Sequence, residues 1–263
     1  MKRATITADP LGRICVLDVE TAPDPLALAL AGARGSRSDV ASPLHRLADA
    51  SVVFATEEAG GVWGGFELLS FTAEDGGEEE LIRRLDRQLQ RLDARTGREA
   101  GQDGRMARDE ARRSPGHLVT YNGVAHDMIA IRRRAARHLM FDLPGIFPDR
   151  DPPHIDLMRV TPPAGSGRWG RLRDVAAGLG IPVAHQLGGN GIGAATPGIR
   201  KSQVDVSATF LLLLHELAAR RRRPDPVIQG WRAFGHYIAA MGPHGDHLAQ
   251  FRRHPLGGGL EAR

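Results

Sequence analysis

The chain has 263 residues, of which 41% are hydrophobic and 25% are charged, an ordinary composition for a globular protein with a full-sized core. Its longest apolar run, Phe210–Leu214, is far shorter than the roughly 20 residues of a membrane span, and its single cysteine, Cys15, excludes an internal disulfide. The formal net charge of +4 comes almost entirely from arginine, because Lys2 and Lys201 are the only lysines. No apolar stretch follows the basic N-terminus. We therefore expect a cytoplasmic protein without a signal peptide or a membrane contact.

The first half of the chain predicts a sheet. Four segments have the apolar and β-branched content of strands, namely residues 14–20, 51–58, 62–71 and 117–123. Gly60-Gly61 separates the second and third of them, which predicts a hairpin. Residues 78–95 carry apolar side chains at helical spacing and predict a crossover helix. A helical crossover favours a fourth strand that lies parallel to the first.

The second half predicts helices. The three segments with the clearest helical pattern are residues 126–140, 170–182 and 202–223, and a short apolar piece lies at residues 154–158. We predict one domain over residues 1–223 with surface insertions near residues 31–46 and 96–116, followed by a partly helical extension over residues 224–263.

Two carboxylates end the first predicted strand. Asp18 and Glu20 lie two residues apart, so their side chains project from the same face of that strand. Two close negative charges repel each other unless a cation lies between them. Carboxylate oxygens suit hard divalent ions such as Mg²⁺ or Mn²⁺. An isolated pair of this kind is common without any metal, so the pair alone is weak evidence.

Two further acids strengthen the metal interpretation. Asp127 begins a predicted helix directly after the fourth strand, and Asp205 lies in the first turns of the last long helix. If the first and fourth strands are neighbours, their ends bring Asp18, Glu20 and Asp127 together. Four acids that converge from three separated segments are typical of a two-metal phosphoryl-transfer site.

The motifs around these acids resemble those of the DEDD superfamily of 3′-5′ exonucleases. The three motifs are VLDVET at residues 16–21, VTYNGVAHD at residues 119–127 and SQVDV at residues 202–206. The sequence between these motifs is similar to that of bacterial predicted exonucleases related to the proofreading domain of B-family DNA polymerases. The resemblance covers residues 13–217 in order. It implies an α/β fold of the RNase H-like type, with a mixed central sheet and helices on both faces.

The resemblance also implies roles for the acids. Asp18 would bridge two Mg²⁺ or Mn²⁺ ions, Glu20 and Asp205 would hold the ion on the nucleophile side, and Asp127 would hold the second ion. The implied activity is metal-dependent hydrolysis of phosphodiester bonds in nucleic acid, with single-stranded 3′ ends as the expected substrate. Both DNA and RNA fit these motifs.

Substrate contacts are implied at four further positions. Thr21 would contact the terminal nucleotide, and Asn122 would contact the substrate or brace the second motif. Arg200 and Lys201 would contact the substrate, through its phosphates. Arg200 and Lys201 stand where the family has a histidine or a tyrosine that positions the attacking water, and neither is a ready general base near neutral pH.

The replacement leaves two hypotheses. The first is an active exonuclease in which another residue, such as Tyr121 or His185, positions the water. The second is a nucleic-acid-binding or scaffolding protein that keeps the fold without turnover. We favour the first because all four acids are present.

Overall fold

The computed structural model describes residues 10–33, 41–93, 116–160, 169–183 and 197–254. The predicted insertion near residues 96–116 lies outside these ranges except for Gly116, and His185 lies outside them as well. Among the helices of the described ranges, none combines the length and the apolar character that a bilayer-spanning segment needs.

The described residues form five strands, seven α-helices and two 3₁₀ helices. The strands are β1 (Gly12–Pro23), β2 (His45–Glu57), β3 (Trp63–Thr72), β4 (His117–Thr120) and β5 (His154–Asp156). The helices are α1 (Pro25–Ala31), α2 (Gly77–Gln90), α3 (Asp127–Arg137), α4 (Leu157–Val160), α5 (Leu172–Gly178), α6 (Pro197–Arg221) and α7 (Asp225–Ala240). Short 3₁₀ helices span Ser42–Leu44 and Gly242–Phe251.

The five strands form one mixed sheet in the order β3-β2-β1-β4-β5. β1, β2 and β3 pair antiparallel, whereas β4 runs parallel to β1 and β5 runs parallel to β4. The β2–β3 hairpin turns through Gly60 and Gly61, which both have positive φ angles and so suit glycine. The hairpin and the parallel placement of β4 confirm the sequence prediction.

Helices cover both faces of the sheet. Side chains alternate along the central strand β1, and they are apolar on both faces, so each face packs against helices. Cys15, Leu17 and Val19 pack in a core with α2 and α3, whereas Ile14 and Val16 pack in a second core with α6 and α7. This arrangement confirms the predicted α/β, RNase H-like fold.

Residues after the predicted boundary at 223 pack against α6. Trp231 and Phe234 of α7 are buried in the same core as Phe210 of α6, and Phe251 of the final 3₁₀ helix joins them. The Trp231 indole N–H donates to the Phe251 carbonyl at 2.9 Å. The described part of the extension is thus helical and shares its core with α6. The domain boundary itself stays a prediction.

Two elements differ from the sequence prediction. β2 begins at His45 rather than at residue 51, and α1 is a helix that the sequence pattern did not indicate. The predicted insertion at residues 31–46 therefore overlaps the end of α1 and the start of β2. α1 is only seven residues long and exposes Leu26 and Leu30, so it lacks the apolar stripe by which longer helices are predicted.

Candidate active site

Strand β1 directs two acids toward α6. Asp18 and Glu20 continue the alternation of Ile14 and Val16, so they lie on the side of the sheet that α6 covers. Asp18 is half-buried and Glu20 is buried. The alternation that directs Ile14 and Val16 into the core therefore places both carboxylates on the same face, at the edge of that core.

The neighbouring strand stops before it reaches these acids. Val16 pairs with Val119, and β4 ends one residue later at Thr120. β1 continues to Pro23, so Asp18 and Glu20 lie beyond the carboxyl end of β4. This end of a parallel strand pair is where open α/β sheets leave room for ligands.

The turn after β4 carries Asp127 back to this edge. Both carboxylate oxygens of Asp156, at the end of β5, accept backbone N–H groups of the turn, from Asn122 at 2.8 Å and from Val124 at 3.1 Å. Asn122 has a φ of 72°, a left-handed conformation that asparagine tolerates better than most residues. A Cβ on Gly123 would lie 2.3 Å from the Thr120 hydroxyl, so glycine is required there. These contacts fix the point at which α3 begins.

Asp127 is the first residue of α3 and is only 4% exposed. Its Oδ1 lies 3.0 Å from Nδ1 of His126. Its Oδ2 is buried and has no hydrogen-bond partner among the described residues. One oxygen of this carboxylate is therefore oriented by a neighbour, and the other is available to a ligand.

The start of α6 is docked closely on β2. A Cβ on Gly198 would lie 1.9 Å from Oδ2 of Asp49, so a larger residue there would displace the Asp49 side chain. Four residues later, the Ser202 hydroxyl is hydrogen-bonded to the Ser51 hydroxyl at 2.6 Å, and Ser51 pairs with Asp18 across the two strands. The docking of α6 is thus fixed directly beside Asp18.

This docking brings α6 side chains to the acids of β1. Carboxylate oxygens of Asp18, Glu20 and Asp205 all lie within 4.8 Å of one another. Asp127 is not a member of that tight group, but its negative charge is the largest of the charge effects that raise the pKa of Asp18. The structure therefore places all four sequence-predicted acids in one region, with three of them in direct proximity.

Burial and mutual repulsion raise the pKa of two acids. Burial raises the pKa of Asp18, and the carboxylates of Asp127, Asp205 and Glu20 raise it further. Burial also raises the pKa of Asp127, against the opposing effect of His126. Like Asp127, Asp18 has a buried Oδ2 with no hydrogen-bond partner in the described part of the chain.

These two orphaned oxygens fit a divalent cation. A buried polar atom without a partner costs free energy that a ligand can recover. Asp18 and Asp127 offer one such oxygen each, and carboxylate oxygens are the donors that Mg²⁺ and Mn²⁺ prefer. The donor set therefore fits at least one hard cation.

Lys201 also belongs to this site. Its ammonium donates to Oε1 of Glu20 and, at 2.7 Å, to Oδ2 of Asp205 one helical turn away. Burial alone would lower the pKa of Lys201, but the carboxylates of Asp205, Asp18 and Glu20 outweigh burial and hold it above its ordinary value. Lys201 is therefore a cation in the midst of the acids, and it is not a general base.

The other predicted residues lie in varied surroundings. The Thr21 hydroxyl is hydrogen-bonded to Nδ1 of His45 at 3.1 Å. Arg200 is half-buried. Burial of His247 lowers the pKa of that histidine, and the positive charge of Arg200 lowers it further. The Tyr121 hydroxyl donates to the Gly170 carbonyl at 2.6 Å. The substrate-contact roles of Thr21, Asn122, Arg200 and Lys201 stay predictions.

Sequence reasoning missed the supporting residues. Asp49 was missed because aspartate is uncommon inside strands, which placed the predicted start of β2 two residues after it. Asp156 lies in the middle of the short apolar piece at residues 154–158, where the sequence suggests that it caps or braces the sheet edge, but no local pattern identified the turn after β4 as its partner. Gly198 was a usable signal, because a glycine near a helix start often marks a close backbone approach.

No protein-family model matches the chain, and no curated protein matches its sequence. Solved structures are similar at low identity. A product-bound exonuclease I is 13% identical, with a TM-score of 0.45 over 87% of this chain and 48% of that chain. Exonuclease I of Methylocaldum szegediense is 14% identical, with a TM-score of 0.40 over 87% of this chain and 45% of that one.

The family B DNA polymerase of Pyrobaculum calidifontis is 14% identical, with a TM-score of 0.36 over 92% of this chain and 27% of the polymerase. The chain thus spans about half the length of the exonuclease I chains and about a quarter of the polymerase.

Proposed function

We propose that the protein is a metal-dependent 3′-5′ exonuclease that hydrolyses phosphodiester bonds of nucleic acid. The observation that carries this proposal is a pair of buried carboxylate oxygens, one on Asp18 and one on Asp127, that have no hydrogen-bond partner among the described residues. Asp18 also lies close to Glu20 and Asp205. Such an arrangement is costly for an empty protein and favourable around a divalent cation.

Asp18 and Asp127 would hold Mg²⁺ or Mn²⁺ with their free oxygens, and His126 orients the Asp127 carboxylate. Held there, such an ion would supply a lowered pKa for the attacking water and positive charge beside the departing 3′ oxygen. The Lys201 ammonium lies where it can bind a non-bridging phosphate oxygen, since its side chain is still 44% exposed. Thr21 and Asn122, at the same edge of the sheet, would contact the terminal nucleotide.

One observation favours a second candidate, a nucleic-acid-binding protein without turnover. The ion pairs of Lys201 with Glu20 and Asp205 already neutralise part of the acid cluster. A protein that had lost its need for metal would gain from such a contact. This candidate predicts binding of single strands that is independent of Mn²⁺, and no cleavage.

The test uses 5′-labelled single strands of DNA and of RNA, each with either a free 3′ hydroxyl or a blocked 3′ end. We expect Mn²⁺ to give a ladder that shortens from the 3′ hydroxyl, and EDTA or the blocked end to prevent it. Asp18→Asn is expected to lower the rate at least about 10³-fold. Asp151→Asn is the matched control, because Asp151 is 69% exposed and pairs with Arg132 rather than with the site. Equal cleavage by wild type and Asp18→Asn would reject the site, and binding without cleavage would favour the second candidate.

A further inference from the structure

The position of Lys201 has a consequence for the number of metal ions. The carboxylate oxygens of Glu20 and Asp205 belong to a group with a mutual spacing of at most 4.8 Å, which is the spacing expected around a single small cation. The Lys201 ammonium already donates to both of these carboxylates. One cation position of the acid cluster is thus filled by the chain itself.

The backbone under Lys201 is held in place. Lys201 lies between Gly198, which contacts Asp49 on β2, and Ser202, whose hydroxyl is hydrogen-bonded to Ser51 and donates to the Ile199 carbonyl at 3.0 Å. Lys201 also precedes Asp205 by four residues, so the two side chains lie on one face of α6. The ammonium therefore meets Asp205 without any movement of the helix.

Two carboxylate oxygens of the site remain for a second cation. Asp127 is nine-tenths buried, and its unpartnered Oδ2, together with that of Asp18, is not neutralised by Lys201 through a hydrogen bond in the described residues. The four acids carry a formal charge of −4, which Lys201 and one divalent ion reduce to −1. Two divalent ions in addition to the ammonium would bring three cations into close contact, where they repel one another.

We propose that the Lys201 ammonium replaces one of the two expected cations, so that the site binds a single divalent ion at Asp18 and Asp127. The proposal rests on the proposed function, since it concerns the metal requirement of the same site. In this arrangement Lys201 supplies a fixed positive charge beside Glu20 and Asp205. It contributes to the charge of the site without depending on the Mg²⁺ or Mn²⁺ concentration.

The number of bound Mn²⁺ ions tests this proposal without any activity measurement. Equilibrium dialysis at saturating Mn²⁺, with free Mn²⁺ counted by electron paramagnetic resonance, is expected to give one ion per wild-type chain. Lys201→Met removes the charge and keeps a side chain of similar length, so we expect two ions per chain. Lys201→Arg keeps a cation and is expected to bind one ion.

Arg84→Met is the matched control, because Arg84 forms an ion pair with Glu80 at the same four-residue spacing on the exposed face of α2. It is expected to bind one ion, like the wild type. Two ions on the wild-type chain, no ion on it, or one ion on Lys201→Met would each overturn the proposal. If Lys201→Met does not fold, the wild-type count alone still decides. A count of one without strand cleavage would support this proposal and reject the proposed function, and a count of two with cleavage would do the reverse.

Discussion

Two clusters of charged side chains are reached from the end of β1, and they are built in opposite ways. The site cluster consists of Asp18, Glu20, Asp127, Asp205 and Lys201. The structural cluster consists of Asp24, which directly follows β1, together with Glu78, Arg134 and His138. Both clusters are largely buried, and both combine acids with cationic or ionisable partners.

The structural cluster gives its carboxylates several donors. Arg134 donates to both oxygens of Glu78 at 2.8 and 2.6 Å and to Oδ2 of Asp24 at 2.8 Å. Oδ1 of Asp24 caps α1 by accepting the backbone N–H groups of Leu26 and Ala27. Although burial opposes it, these hydrogen bonds lower the pKa of both Asp24 and Glu78.

The site cluster lacks this balance. Its four acids share one described ammonium, two of their oxygens have no hydrogen-bond partner in the described ranges, and the pKa values of Asp18 and Asp127 are raised. The same residue types therefore stabilise the fold where the chain supplies the counter-charges, and we propose that they bind a ligand where it does not.

The largest effect is expected from Arg134→Met, which removes the central cation of the structural cluster. Two buried carboxylates lose their partner, so the free energy of unfolding should fall by about 3–5 kcal/mol. Urea unfolding measures this loss. Arg84→Met, at a half-exposed ion pair, should change stability by less than about 0.5 kcal/mol. A similar small change for Arg134→Met would remove the distinction between a buried and a half-exposed pair.

Smaller effects are expected from an Asp→Asn substitution made separately in each cluster, and the two changes in stability should have opposite signs. Asp24→Asn should lower stability by about 1–3 kcal/mol, because the charge-assisted hydrogen bond to Arg134 is lost while asparagine still caps α1. Asp18→Asn should raise the stability of the metal-free protein by about 1 kcal/mol, because it removes one of several repelling charges. Chemical unfolding in EDTA compares the two variants. A destabilised Asp18→Asn would contradict the view that the site cluster is strained without metal.

The smallest expected effect is a graded loss of stability in acid. The folded-state pKa values of Asp24 and Glu78 lie below their unfolded values of about 3.9 and 4.3, so the folded protein binds fewer protons there. Their contribution is therefore present above about pH 4.5 and is lost as the pH falls through the lowered folded-state pKa values. Unfolding free energies at pH 7, 4 and 3 should show a weaker acid dependence for Arg134→Met than for wild type. An identical dependence would argue against this cause.

The sequence predicted most of the fold because the main elements have strong local patterns. The apolar run of β1, the glycine pair of the β2–β3 hairpin and the helical periodicity of α2 are all local signals. α1 and the first residues of β2 were missed because both depend on tertiary contacts. Asp24 caps α1 with one oxygen while Arg134 donates to the other, and the start of β2 contains Asp49, which faces the start of α6.

The proximity of the four acids was predictable because each lies in an element with a clear local pattern. The contact of Lys201 with Glu20 was not, since it joins residues 181 positions apart and depends on how α6 docks. That docking involves Gly198 and the Ser51–Ser202 hydrogen bond, and the sequence alone does not show that either of them meets β2.

The Mn²⁺-induced change in unfolding temperature tests most directly whether the site cluster is a cation site. At a Mn²⁺ concentration of 100 times the dissociation constant, binding adds about 2.7 kcal/mol, which raises the unfolding temperature of a chain of this size by about 5–10 °C. We expect this rise in wild type and in Asp151→Asn, and no rise in Asp18→Asn. A wild-type unfolding temperature that is unchanged by Mn²⁺, or an equal rise in Asp18→Asn, would contradict the account.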